Sequence, residues 1–261
     1  MKIATWNTNS LRVRLEHLKR WIDEDPVDVI CLQETKTVDS QFPLDAIQNM
    51  GFPYCEIYGQ KSYNGVAILS KTPIKNVVKG FQLGEADPQT RLIRGQVNGI
   101  DIINCYVPNG NRVGSDKFQY KLSWLKRLEK ELKHAHSASE DVLLCGDMNI
   151  APDDDDTWDP FEAEGRILFH PQEHVALKRV LDWGFTDTFR HHHPTDRTFS
   201  WWDYRGGGFA RNHGFRIDHI YVTPSLLKKS VKVHIQRTLR GWEQPSDHVP
   251  VVATFSHESS E

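Results

Sequence analysis

Cysteine is scarce and scattered in this chain. Four residues, Cys31, Cys55, Cys105 and Cys145, stand far apart, with no CxxC pair among them. That spacing excludes a zinc ribbon, a thioredoxin-like redox pair and a compact disulfide framework. The apolar setting of three of them implies buried, reduced thiols. No apolar run reaches the ~20 residues of a membrane span. Charge of one sign is lacking too: 32 Lys and Arg against 35 Asp and Glu give a formal net charge of -3, which excludes a global basic field for nucleic acid. No Pro/Gly/Ser-rich linker divides the chain, so one domain over 1–256 with a short polar tail at 257–261 is expected. The N-terminus enters an alternating strand pattern directly, without a charged lead and apolar stretch. A soluble, cytoplasmic, monomeric protein with no membrane association is the expectation.

What is present is enough apolar material for a large core and many short strand-like runs. Residues 2–7 alternate as a strand and end in Asn7-Thr8-Asn9-Ser10, a cap-rich turn. Leu11, Leu15, Leu18, Trp21 and Ile22 then recur at helical spacing, and Pro26 closes the segment. The run 27–32 is a second buried strand. The periodicity predicts a short helix at 45–50, a hairpin pair at 54–58 and 65–70, and strands at 90–96 and 100–107. Residues 118–134 form the longest amphipathic helix, with Leu122, Leu125, Leu128 and Leu132 as its stripe. Further on come a strand at 142–147, a helix at 174–183, and strand-like segments at 198–202, 217–222, 231–237 and 249–255. Short strands with helices between them point to a layered α/β protein, its sheets packed face to face and its helices outside.

Several of these apolar runs stop at a polar side chain. The strand Val142-Leu143-Leu144-Cys145 exits into Gly146-Asp147-Met148-Asn149, which places a carboxylate and an amide on one face of the strand end. Taken alone, this reads as an ordinary Asx turn before it reads as a site. Asn7, Glu34, Tyr106, Asp218, Asp247 and His248 are placed in the same way. Carboxylates beside core-forming runs must be paired, hydrated or bound to a cation. Hard oxygen donors without an HExxH or Cys-rich set favour Mg²⁺ or Mn²⁺ over Zn²⁺. A metal, carboxylates and one histidine describe phosphate-ester hydrolysis better than acyl transfer.

Six segments in order, Thr-Trp-Asn-Thr-Asn, Leu-Gln-Glu-Thr-Lys, Tyr-Val-Pro-Asn-Gly, Gly-Asp-Met-Asn-Ile-Ala, Arg-Ile-Asp-His and Ser-Asp-His-Val-Pro, carry a family resemblance across nearly the whole chain. The series resembles the exonuclease III family of DNA-repair nucleases, within the endonuclease/exonuclease/phosphatase superfamily. The resemblance implies a four-layer αββα sandwich with the site at one end of its two sheets. It also implies roles: Glu34 holding Mg²⁺, with Asn7 and Asp247 close to the metal, and Asp147 orienting or deprotonating water. Asn149 would hold the scissile phosphate, His248 oriented by Asp218 would contact a phosphate oxygen, and Tyr106 would add a polar contact. Trp201, Phe215 and Ile217 would form an apolar pocket for a flipped abasic sugar or a frayed 3' end. Asn109, Arg112, Arg211 and Asn212 would touch the substrate, which the resemblance makes double-stranded DNA with abasic sites or 3' ends. Arg91, Lys117 and Arg216 are further candidate phosphate contacts. Asn9 stands where some relatives carry an aspartate, so a second metal site is not carried over.

Two other runs attract attention and read as solvated loops: Asp153-Asp154-Asp155-Asp156 and His191-His192-His193. Two alternative functions share the scaffold: a phosphatase acting on lipid or inositol phosphates, and a non-catalytic nucleic-acid-binding module.

Overall fold

The computed structural model describes residues 1–256; the tail expected at 257–261 lies outside them. Among the described residues the strands are β1 (Lys2–Asn7), β2 (Val29–Gln33), β3 (Tyr54–Tyr58), β4 (Val66–Ser70), β5 (Lys75–Lys79), β6 (Leu92–Val97), β7 (Ile100–Tyr106), β8 (Val142–Asp147), β9 (Thr186–Asp187), β10 (Asp218–Val222), β11 (Ser230–Ile235) and β12 (Val251–Phe255). They form two six-stranded sheets, ordered β11-β12-β1-β2-β4-β3 and β5-β6-β7-β8-β10-β9. The main helices are α1 (Leu15–Glu24), α2 (Leu44–Asn49), α3 (Asp116–Ala135), α4 (Pro160–Ala163), α5 (Pro171–Leu181), α6 (Thr188–His192) and α7 (Pro224–Leu227).

Strand periodicity of two builds the layers. Ile3, Val29, Cys31, Val66 and Ile68 of the first sheet meet Ile93, Ile102, Leu143, Cys145 and Ile220 of the second in a shared interior. The intervening residues face outward to the helices. Ala4, Trp6, Ile30 and Leu32 pack on Leu18, Trp21 and Ile22 of α1 and Ile47 of α2. Ile103, Cys105, Val142 and Leu144 pack on Trp124, Leu125 and Leu128 of α3 and Leu177 and Val180 of α5. Each such large side chain contributes about 1.5–3 kcal/mol through burial. The result is the expected four-layer αββα sandwich. No helix among the described residues is long and apolar enough to cross a membrane.

Register puts the polar strand exits at one end. β1 and β2 run parallel with Asn7 opposite Gln33, and β7 and β8 run parallel with Tyr106 opposite Asp147. β10 returns antiparallel and sets Asp218 beside Asp147. Below this end a buried polar link ties the sheets together: Gln33 Nε2 donates to Asn104 Oδ1 at 2.7 Å, and Asn104 Nδ2 donates to the carbonyls of Leu32 and Ala67, both at 2.9 Å. Gly146, at φ 139°, lies so close to β7 that a Cβ there would stand 1.8 Å from the Cys105 carbonyl oxygen. Only glycine lets β8 reach its catalytic-looking exit at that separation.

The structure departs from the sequence reading in several places. β5 is short, half-exposed and was not expected. Residues 198–202 form no strand; Trp201 makes only isolated bridges to Phe215 and His248. On α3 the buried face carries Lys121, Trp124 and Glu131 in place of Leu122, because Lys121 pairs with the buried Glu173 and Glu131 with the half-buried Arg94. Asp156 is not solvated: it is fully buried and pairs with Arg216 and Arg190. His191 and His192 close α6 rather than lying in a loop, and His192 and His193 bond Ser230 Oγ and the Val233 carbonyl.

Candidate active site

Six chain segments deliver carboxylates and their partners to one point. Asn7 Nδ2, at the end of β1, reaches Glu34 Oε1 at 3.0 Å and Asp147 Oδ2 at 2.9 Å. Tyr106, at the end of β7, donates its hydroxyl to the same Glu34 oxygen at 2.9 Å. Lys36 pairs with the other Glu34 oxygen at 2.8 Å and donates to Asn9 Oδ1 at 2.6 Å. Glu34, Lys36 and Asn149 all have φ near +50°, a left-handed backbone that aims three side chains into the site at a conformational cost.

Asp147 Oδ1 accepts from the Asn149 N–H at 2.9 Å, the Asx turn foreseen at this exit. The turn and the site are therefore the same structure. The Asn149 amide accepts from Asn109 Nδ2 at 2.9 Å and donates to the Val107 carbonyl at 3.0 Å. Asp218 accepts from His248 Nδ1 at 2.8 Å and from Ser200 Oγ at 2.7 Å, and the opposite ring nitrogen of His248 faces Asp147 Oδ2 at 3.7 Å.

Burial and charge set the protonation of this cluster. Burial alone would raise the Glu34 pKa, but Lys36, Asn7 and His248 outweigh it and hold the carboxyl below its ordinary value. Burial pushes Asp147 up to about 7, with Asp218 adding to the rise and His248 opposing it. For His248 burial acts downward, yet the carboxylates of Asp218 and Asp147 lift it to about 10. The ring is thus an imidazolium at neutral pH, with Asp218 fixing its orientation.

The ligand atoms of Glu34, Asp147 and His248 all lie within 4.8 Å of one another, a spacing that one cation spans. An imidazolium does not coordinate, so the donors left are carboxylate and amide oxygens, the chemistry of a hard divalent ion. The uncompensated burial that raises Asp147 is what a cation beside it would relieve. Asp247 stands outside this compact group. Its Oδ2 accepts from Trp201 Nε1 at 3.0 Å and its Oδ1 from Asn9 Nδ2 at 2.9 Å. A second triad, Asp101, His136 and Glu140, shares a recess with Arg94, whose cation lies against it.

The remaining expected residues surround the cluster. Trp201 and Phe215 are half-buried with ring centroids 6.0 Å apart, and Ile217 is buried beside them. Arg112 and Arg211 are exposed; Arg211 bonds the Gly206 carbonyl. Asn212 is exposed and its oxygen accepts from Trp202 Nε1 and Arg237, both at 3.3 Å. Arg91 lies over the Tyr106 ring, 4.4 Å from its centroid, in a 470 Å³ cleft that also contains Asn109 and Lys117. Arg216 is a correction. It is 1% exposed and its guanidinium grips Asp156 at 2.7 and 3.0 Å and Asp187 at 2.8 Å, so no phosphate reaches it. It braces the segment leading into Asp218.

Sequence reasoning missed Lys121. Its buried ammonium donates to the carbonyls of Asn149 at 2.7 Å and Asn109 at 3.2 Å and pairs with Glu173. It therefore holds both asparagine loops from beneath. A lysine on the apolar side of α3, three residues before Trp124, was the available signal.

The family model described as "Endonuclease/Exonuclease/phosphatase family" matches residues 4–248. The chain belongs to this family. The exodeoxyribonuclease III of Haemophilus influenzae is 37% identical over 98% of this chain and 100% of that protein. An AP endonuclease from Archaeoglobus fulgidus superposes with a TM-score of 0.94 at 39% identity, covering 98% of this chain and 100% of that one. NExo from Neisseria meningitidis, a 3'-5' exonuclease, gives 0.94 at 40% identity with the same coverage. NExo has also been solved as a 3' phosphatase bound to a product DNA hairpin. Within the family the chain is therefore a hydrolase of the exodeoxyribonuclease III and AP endonuclease type, a DNA-repair nuclease.

Proposed function

We propose that residues 1–256 act as one domain, a Mg²⁺-dependent phosphodiesterase on double-stranded DNA. It removes nucleotides and blocking phosphates from 3' ends and incises 5' to abasic sites. The observation that carries this reading is the close packing of Glu34, Asp147 and an imidazolium His248 backed by Asp218. Glu34, with Asn7 and Asp247 nearby, would hold the cation. Bound there, Mg²⁺ or Mn²⁺ supplies a Lewis acid for phosphate and leaving-group oxygens.

The chain's own groups supply the rest. Asp147 is fixed through both carboxylate oxygens by Asn7 and Asn149, so it presents a defined direction to an attacking water. A buried carboxylate held in one direction is suited to accept that water's proton. His248 donates from the ring nitrogen not used by Asp218 to a non-bridging phosphate oxygen, meeting charge as it develops. Asn149 and Tyr106 complete the polar wall, and Asn109, Arg112 and Arg211 supply contacts along the strand.

The test offers purified protein a duplex with a 3' phosphate and a duplex with an internal abasic analogue, each with Mg²⁺ or EDTA. Mg²⁺-dependent cleavage, lowered at least about 100-fold in kcat by Asp147→Asn, is expected. Cleavage that persists in EDTA, or an unimpaired Asp147→Asn, defeats the reading.

A further inference from the structure

Beyond Asp147 the chain leaves β8, and three consecutive carbonyls are each held by a side chain from a different element. Lys121 of α3 donates to the Asn149 carbonyl at 2.7 Å, His219 Nε2 of β10 meets the Ile150 carbonyl at 3.1 Å, and His174 Nε2 of α5 meets that of Ala151 at 2.9 Å. This cradle starts at Asn149, whose φ of 50° keeps the backbone in the left-handed region. A conformation held at such a cost persists only where its surroundings fix it.

His219 is 1% exposed and stacks on Tyr221, with ring centroids 5.1 Å apart and planes 10° from parallel. Its Nδ1 lies 3.0 Å from Arg216 Nη1. A guanidinium donates and has no lone pair to accept with, so Nδ1 must be the acceptor. A carbonyl only accepts, so Nε2 must carry the proton that meets Ile150. The two neighbours therefore dictate the same tautomer. Asp187 Oδ2, 3.7 Å from Nδ1, is beyond hydrogen-bond reach and is already engaged by Arg216 at 2.8 Å. Ile150 is fully buried, and among the described residues no second donor reaches its carbonyl. Removing the His219 donor would leave that oxygen unsatisfied in the interior.

We propose that His219 is a positioning residue for phosphate cleavage. Its Nε2–H holds the Ile150 carbonyl and so keeps the Asn149 turn in place, and with it the Asn149 amide and the N–H that Asn149 donates to Asp147 at 2.9 Å. Arg216, on the far side of the ring, fixes the tautomer that makes this possible. The inference rests on the nuclease reading above.

The experiment measures kcat, KM and melting temperature for His219→Asn and His219→Gln on the 3'-phosphate duplex with Mg²⁺, well below both melting temperatures. The glutamine amide reaches the place of Nε2 and keeps a donor for the Ile150 carbonyl. The asparagine amide stops at the place of Nδ1, beside Arg216, and leaves that carbonyl bare. In His219→Asn kcat should fall about tenfold or more, the scale on which small misplacements act, with KM little changed. His219→Gln should keep most of kcat. Both variants lose the stack on Tyr221, so a merely structural role would lower them together. An unimpaired His219→Asn, equal losses in the two, activity that follows melting temperature, or a loss confined to KM overturns the proposal. Nitrogen NMR of the wild type at pH 8 reads the tautomer without any variant: a proton on Nε2 with Nδ1 bare is expected, and a proton on Nδ1 overturns the proposal as well. A wild type that releases no phosphate defeats the nuclease reading instead.

Discussion

Replacing Asp218 with asparagine removes one negative charge 2.8 Å from His248 Nδ1 while keeping the side chain's size. In the intact protein burial pulls the His248 pKa down, but Asp218 and then Asp147 lift it to about 10, so the ring is protonated throughout the neutral range. Without Asp218 the chief lifting influence is gone while burial still acts downward, so the ring loses its proton at lower pH than in the intact protein; the ordinary value of 6.5 serves as the reference. An imidazole at that value carries a proton at pH 8 in about one molecule in 30, and at pH 6 in about three of four. If the imidazolium meets the phosphate oxygen, kcat of Asp218→Asn at pH 8 falls on the order of 30-fold for a ring at the ordinary value and largely recovers at pH 6. Asp147, 3.7 Å from the other ring nitrogen, still favours the charged ring, while burial opposes it. Single-turnover removal of a 3' phosphate at saturating Mg²⁺, from about pH 5.5 to about 9.5, reads the effect as an alkaline limb displaced downward. Normalised profiles of wild type and variant that superimpose would refute the reasoning and leave Asp218 a purely orienting role.

Two further outcomes follow from buried charge. Lys121→Met strands the fully buried Glu173 and leaves the Asn109 and Asn149 carbonyls without their donor; a loss of about 3–5 kcal/mol in denaturant unfolding is expected. Adding Glu173→Gln should restore most of that stability but not kcat, and full recovery of activity would show that Lys121 does not position the loops. Divalent cation binding should depend on pH with a definite sign. Because the folded pKa of Asp147 is raised from 3.8 to about 7, its contribution to stability is intact below 3.8 and is lost as pH rises through about 7. A cation offsets that loss only where the carboxylate is ionised, so Mg²⁺ should raise the melting temperature more at pH 8 than at pH 6. At ten times its Kd the ion adds about 1.4 kcal/mol. An equal rise at both pH values would remove Asp147 from the ion's surroundings.

The layered fold was legible because its signals are local. Alternation of apolar residues in 2–7, 100–107 and 142–147 dictates which face of each strand is buried, and six ordered motifs mark where the strands end. Asp147, Glu34, Asp218 and His248 could be singled out for that reason: a polar group directly after a buried run has few places to go. What the sequence could not decide depends on partners distant in the chain. Asp156 looked solvated within a run of four carboxylates until Arg216, 60 residues on, was found gripping it in the interior. Lys121 looked like one more charge on an amphipathic helix until α5 supplied Glu173. Arg216 looked like a phosphate contact for the same reason in reverse. The chain by itself thus determined the two sheets and the identity of the chemical groups at their common end. Tertiary structure alone decided which charges are neutralised inside and in which direction Asp147 and His248 shift from their ordinary pKa values. Those properties come from burial and from contacts across the fold, which no local pattern encodes.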